Sequence, residues 1–244
     1  MAVFNDLGAE MDFEQVLYSR RAVREYTPEP VAKAVLGKLI DAAVQAPSAV
    51  NEQPWLFSVV TDRAVLARIS EASKAHMLAR PPPGVALALL HEVVENADFD
   101  ILYHAPALIV ISSASQGHWA VENCSLAAQN LMLAACAAGL GTCWIGFAQT
   151  WLGTPEGKAT INVPQSCLPV APIIVGHPQS EPLSVPRKAP DIAGLATSGR
   201  ALGSTGEARW PSRRRARRSA RPRDPAPAGR AIRTGAVRDT ALPG

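Results

Sequence analysis

With 244 residues, 48% of them apolar, the chain is long enough to bury one sizeable core, or one domain plus a tail, but not two independent domains. It holds no run of about 18 apolar residues, and its opening stretch, MAVFNDLGAEMDF, carries acids where a secretory leader carries bases, so a soluble, cytoplasmic protein is expected. The net charge of +3 is unevenly spread: residues 201–244 hold eleven arginines and three acids, a balance of +8, which leaves −5 for the first 200 residues.

In chain order, Phe13, Val16 and Leu17 at helical spacing predict a short helix over residues 12–18, which the polar SRRAVREY stretch then leaves. Val35, Leu36, Leu39, Ile40, Ala43 and Val44 mark one face of a second helix, which ends before Pro47. Leu56–Thr61 reads as a strand, and Asp62 as the N-cap of a helix carrying Val65, Leu66 and Ile69. Residues 80–84, RPPPG, break the chain before another apolar, helix-compatible segment. Ala107–Ser112 is continuously apolar, as expected of a strand covered on both faces. The Ala- and Leu-rich segment from Trp119 to Ala138 predicts a buried helix stopped by Gly139. A strand at Thr142–Gly146, a proline-bounded irregular section and a last strand at Val170–Gly176 follow. Helices and strands alternate without a βαβ rhythm, so the expected fold is α+β, a mixed sheet packed with helices.

Beyond about Asp191, Arg, Ala, Pro, Gly and Ser dominate; such a segment cannot offset its ordering entropy. Residues 1–192 are therefore expected to form the folded domain and residues 193–244 a disordered tail. PSRRRARRSARPR could adhere to nucleic acid through phosphates, but Trp210 is the only aromatic residue there, and nucleic-acid binding is not the expected role. The same composition would arise from an out-of-frame extension of a GC-rich gene.

Cys124, Cys136, Cys143 and Cys167 form no CxxC pair and lack histidines at ligand spacing, so no metal site is expected. Gly139-Leu140-Gly141-Thr142-Cys143-Trp144 begins like a dinucleotide fingerprint, but Trp144 stands where the third glycine belongs and the stretch follows a helix. No Walker motif is present, so a phosphate-bearing ligand needs cationic side chains or another nest of backbone donors. Arg20, Arg21 and Arg24 supply such cations near a helix end; taken alone, a solvated basic patch is the simpler reading. Ser48, Asn51 and Gln53 lie between Pro47 and Pro54 and can present hydrogen-bonding groups to a planar heterocycle, or form an ordinary polar turn.

Together and in order, these segments resemble the nitroreductase family of FMN enzymes. SRRAVREY is similar to its RRSxRxF start, APSAVNEQPW to its PSxxNxQPW loop, NCSLAAQNLMLAACAAGLGTCWIG to its core helix and following strand, and VPQSCLPVAPIIVGHP to its later IPE…VGYP passage, over roughly residues 10–190. The resemblance implies an α+β homodimer with each FMN lying between the subunits. It implies that Arg20 and Arg21, with Arg24 nearby, reach the flavin phosphate and the pyrimidine side of the ring. It further implies that Pro47 and Ser48 approach from the partner subunit, with Asn51 on the ring edge and Gln53 in the same loop. Ile145 and Gly146 match positions whose backbone lies against the flavin, and Arg187, with Lys188 beside it, the late basic residue on the phosphate.

Three departures stand out. Ala22 occupies a position where many relatives have serine, Asn162-Val163-Pro164-Gln165 replaces the usual Gly-Ile-Pro-Glu, and the arginine-rich tail has no counterpart. The implied reaction is a ping-pong hydride transfer from NADH or NADPH through FMN to a nitroaromatic, quinone or similar small-molecule acceptor, with no catalytic side chain required. Alternatives inside the superfamily are the flavin-cleaving synthase of the dimethylbenzimidazole ligand, a dehalogenase and an azoline oxidase. Their specificity would reside in a lid, here placed at residues 73–100. A non-catalytic FMN-binding protein is the alternative outside enzymes.

Overall fold

The computed structural model describes residues 11–81, 96 and 99–193. The chain divides after Arg187 into two compact units, and the second is described only through its first residues, 188–193, all exposed. The expected tail and most of the expected lid lie outside the described residues; the start of the lid, residues 73–79, belongs to a helix.

Helix α1, Phe13–Ser19, opens with a capping box: Asp12 accepts from the Gln15 backbone N–H, and the Gln15 side chain takes the Asp12 N–H. It buries only Val16; Phe13, Leu17 and Tyr18 face outward. Helix α2, Lys33–Ala43, buries Leu36, Leu39 and Ala43, as its spacing requires. A single 3₁₀ turn at Ala49–Asn51 leads to strand β1, Trp55–Val60. Asp62 then caps α3, Arg63–Ala79, by accepting from the Val65 N–H.

Strand β2, Ala107–Ser113, is buried at every position and pairs antiparallel with both β1 and β4, Leu168–Gly176. Its two faces enter two different cores, which accounts for the unbroken apolar run. Leu108 and Val110 pack toward Leu66, Ile69 and Met77 of α3, with Leu152 beyond. Ala107, Ile109 and Ile111 pack toward α2 and the long helix α4, Ala120–Ala137, through Leu39, Ala127 and Leu131. The sheet is thus a middle layer between helices. Helix α4 ends in a Schellman-type cap: Gly139 takes a φ of +71° and the Leu140 N–H reaches the Ala135 carbonyl at 2.8 Å.

The strand order is β1-β2-β4-β3, and every pairing among these four strands is antiparallel. The expected mixed sheet is corrected accordingly: the parallel element among the described residues is a single bridge, Ala22 with Thr142. The expected strand at Thr142–Gly146 is also corrected. Strand β3 covers Gly141–Trp144 and stops where its partner strand reaches Pro172. That proline accepts the Ile145 N–H at 2.8 Å but has no N–H to return, so the ladder cannot continue. The chain turns instead into helix α5, Gly146–Leu152. The section expected to be irregular contains helix α6, Pro155–Thr160, begun by the Thr154 cap and a proline in its first turn.

Candidate functional site

Past Ser19 the chain leaves α1 and lies along the edge of the sheet. The Val23 N–H donates to the Thr142 carbonyl at 3.0 Å, and the Thr27 N–H to that of His177 at 2.9 Å. A side chain at Gly141 would sit 2.7 Å from the Val23 Cβ, so glycine there lets the segment come this close. That docking sets the three arginines beside the end of β3.

Arg20, Arg21 and Arg187 line one cleft of about 480 Å³, together with Leu17, Tyr18, Gln129 and residues 184–186. Among the described residues no carboxylate lines it, so their side chains make its field positive. Arg21 is half-buried and donates through Nη1 to the carbonyls of Tyr18 at 2.8 Å and Arg20 at 2.7 Å, which the helix end leaves without partners. Its Nε is buried with no acceptor among the described residues, a donor that an oxygen-bearing ligand would satisfy.

Arg24, Ile145 and Gly146 line a second cleft, of about 210 Å³, with Ile101, Tyr103, Cys143, Trp144 and Phe147. Burial raises the Cys143 thiol above its ordinary value, and the positive charges of Arg24 and then Arg20 oppose the rise. Gly146 is informative for what it does not do. It has no positive φ, and a Cβ built on it would meet nothing within 4 Å. The chain's own packing has no need of glycine there. As the first residue of α5, its N–H also has no acceptor within the helix.

Pro47, Ser48, Asn51 and Gln53 line neither cleft. Their loop is nonetheless built to a fixed shape. Ser48 Oγ accepts from the Gln53 N–H at 3.0 Å, Gln53 Nε2 donates to Asn51 Oδ1 at 2.8 Å, and Asn123 Oδ1 accepts from the Ala49 N–H at 2.9 Å. The Trp55 indole N–H reaches the Asn123 carbonyl at 2.9 Å, which ties both ends of the loop to α4. Within it Val50, Asn51 and Gln53 have φ of +47°, +56° and +49°. A β-branched residue in that region is strained, and Val50 is 97% exposed. The loop holds a costly shape through its own hydrogen bonds and Asn123, with Val50 turned out to solvent.

The structure therefore joins Arg20, Arg21 and Arg187 in one cleft and Arg24, Ile145 and Gly146 in another, while leaving the 47–53 loop outside both. Ala22 is spent on the bridge to Thr142 and lines neither. Sequence reasoning missed Asn123, which resembles any helix residue until the loop is seen resting on it. It also missed Tyr103 and the turn that carries it; the signal available was Asp100, a residue type that accepts from backbone N–H groups two to four positions on.

A helix-flanked antiparallel sheet, with one cleft lined by Arg20, Arg21 and Arg187 and another by Arg24, Tyr103 and Phe147, defines an α+β protein with cationic clefts, the second walled by apolar and aromatic side chains. The particular family follows from comparison with known proteins: residues 17–177 match the model of the nitroreductase family, and the chain belongs to that family of oxidoreductases. A putative NADH dehydrogenase/NAD(P)H nitroreductase of Methanothermobacter thermautotrophicus is 28% identical over 174 residues, covering 71% of this chain and 81% of that protein. Iodotyrosine deiodinase of Danio rerio is 44% identical over a shorter stretch of 59 residues, 24% of this chain and 20% of that one. In fold, the chain matches the crystal structure of a nitroreductase with bound FMN from Bacteroides fragilis at a TM-score of 0.63 and 24% identity, covering 75% of this chain and 97% of the other.

Proposed function

We propose that the protein is an FMN-dependent NAD(P)H oxidoreductase that reduces nitroaromatic, quinone or similar acceptors by ping-pong exchange at one site, and that it does so as a homodimer. The observation that carries this reading is the pair of clefts: one lined by Arg20, Arg21 and Arg187 with the unmet Arg21 Nε, the other bordered by a glycine at which a Cβ would meet nothing among the described residues. A phosphate fits the first, and a planar ring approaching backbone fits the second.

FMN, when bound, supplies hydride acceptance from the nicotinamide and hydride donation to the acceptor. The residues of this chain do the rest. Arg20, Arg21 and Arg187 bind the phosphate through charge-assisted hydrogen bonds. Arg24 places positive charge where the ring gains negative charge on reduction. Gly146 brings a backbone N–H to the ring, and Ile145 and Phe147 exclude water from that face. The loop of Pro47, Ser48, Asn51 and Gln53 completes the site of the partner subunit, which gives a reason for its fixed, strained and exposed shape.

A second reading, reductive dehalogenation, draws support from the short deiodinase match and keeps every cofactor contact. The test is the spectrum of the purified protein and identification of its released chromophore, followed by anaerobic NADH or NADPH. Bleaching of a flavin band and turnover of a nitroaromatic are expected. A protein that cannot be loaded with FMN would overturn the proposal, and loss of halide from a haloaromatic in place of nitro reduction would favour the second reading.

A further inference from the structure

Tyr103 and His104 are consecutive non-glycine residues with φ of +53° each. Such a pair costs on the order of 1–3 kcal/mol per residue and persists only where its surroundings dictate it. Here they do. The Asp100 carboxylate accepts the Leu102 N–H at 2.8 Å, the His104 N–H at 2.9 Å and the His104 Nδ1 at 3.2 Å. The Tyr103 N–H reaches the Asp100 carbonyl at 2.9 Å, and the Ile101 N–H the buried Ser70 hydroxyl of α3 at 3.1 Å. Ile101 and Leu102 are buried, so the turn is anchored in the core on both sides.

This construction presents the Tyr103 ring to the cleft that contains Gly146. Phe99 steadies it edge-on at 5.6 Å, it packs against the core cluster that includes Ile101 and Ile145, and the guanidinium of Arg24 lies 5.8 Å from the ring centroid. Arg24 is exposed and forms no ion pair among the described residues, and a long cationic side chain in that state samples many rotamers. The ring supplies what a carboxylate would have supplied, direction, without neutralising the charge.

We infer that Tyr103 is a positioning residue: held in place by the Asp100 turn, its ring fixes the Arg24 guanidinium over the cleft beside Gly146, so that an undiminished positive charge faces the bound ligand. This rests on the proposed FMN site. Its consequence is preferential stabilisation of the reduced, anionic flavin ring over the oxidised one.

The test uses the full chain and the variants Tyr103→Leu and Tyr103→Phe, first without flavin and then loaded with FMN. In the flavin-free protein the Arg24 side-chain NMR signals should show a ring-current shift that survives in Tyr103→Phe and disappears in Tyr103→Leu. In the loaded protein Tyr103→Leu should weaken binding of reduced FMN relative to oxidised FMN by about fivefold, the upper value for an exposed cation–π contact. That is a fall of about 20 mV in a two-electron potential for which tenfold is 29.6 mV; Tyr103→Phe should match the parent. An Arg24 signal unmoved by Tyr103→Leu, an unmoved potential, or equal loss in both variants would overturn the inference while leaving the FMN reading intact. A parent chain that shows the ring-current shift yet takes up no FMN would overturn both.

Discussion

The arginine-lined clefts and the loop of residues 47–54 are both built from polar side chains on irregular backbone, yet the chain treats them in opposite ways. Around the clefts, each side chain has neighbours supplied by distant parts of the same chain: β3 and α5 for Arg24, residues 184–187 for Arg20 and Arg21. In the loop, the hydrogen bonds are internal or to Asn123, and the outward surface carries Val50 at 97% exposure. One region is a site the chain can assemble by itself; the other is a shaped surface awaiting something outside it. On the proposed dimer reading, a single copy holds parts of two sites.

The largest effect is expected at the clefts. Arg20→Ala and Arg187→Ala should each weaken FMN binding by about ten- to a hundred-fold, the worth of a charged hydrogen bond at about 1.5–3 kcal/mol. Binding of riboflavin, which lacks the phosphate, should be nearly unchanged. Fluorescence titration with both ligands reads this, and equal losses would place the arginines elsewhere than on the phosphate. Next, Gly146→Ala should lower FMN affinity by about tenfold while the unfolding free energy of the flavin-free protein stays within about 0.5 kcal/mol of the parent, because a Cβ there meets nothing within 4 Å among the described residues. A destabilised apoprotein would show that this glycine serves the fold after all.

The loop gives a smaller effect whose sign is the useful part. Val50→Asn relieves left-handed strain of about 1–2 kcal/mol. If a second copy covers Val50, the change also forfeits about 1.5–3 kcal/mol of apolar burial. The expected outcome is a net loss of about 1 kcal/mol in dimer stability, measured by sedimentation equilibrium; a gain would show that nothing covers the loop. An effect confined to alkaline pH is expected at Cys124, beside Asn123 in the helix that supports the loop. Burial pushes its thiol from 9.0 up to about 12. A raised value in the folded state means that its contribution is full below pH 9 and is lost as pH rises toward 12. Cys124→Ala should therefore flatten the alkaline limb of the stability profile over that interval, as followed by urea denaturation; an unchanged slope would show that solvent reaches this part of α4.

Most of the elements that are covered on a regular face were legible in the sequence. The helix expected at Trp119–Ala138 forms at Ala120–Ala137, and Gly139 takes the left-handed φ its position called for. The run Ala107–Ser112 is a strand buried on both faces. Asp62 caps the helix it precedes. The misjudged stretch was the one after Trp144. There the local pattern CWIGF continues a strand, but the partner strand presents Pro172, and that is knowable only once β3 and β4 are side by side.

The candidate site divides along the same line. By itself the sequence determined which residue types could face an anionic, planar ligand, because guanidinium groups, a small backbone position and an amide-rich loop are chemical properties of residues in order. It could not decide which of them share a cavity. Arg24 and Gly146 meet because Gly141 lets the arginine segment dock on β3, and Arg187 joins Arg20 through a return of the chain more than 160 residues later. Tyr103 enters the site only because Asp100 holds two residues in a backbone conformation that their own preferences oppose. Residue chemistry is local and can be read along the chain; convergence depends on pairing and packing between distant segments, which only the tertiary structure supplies.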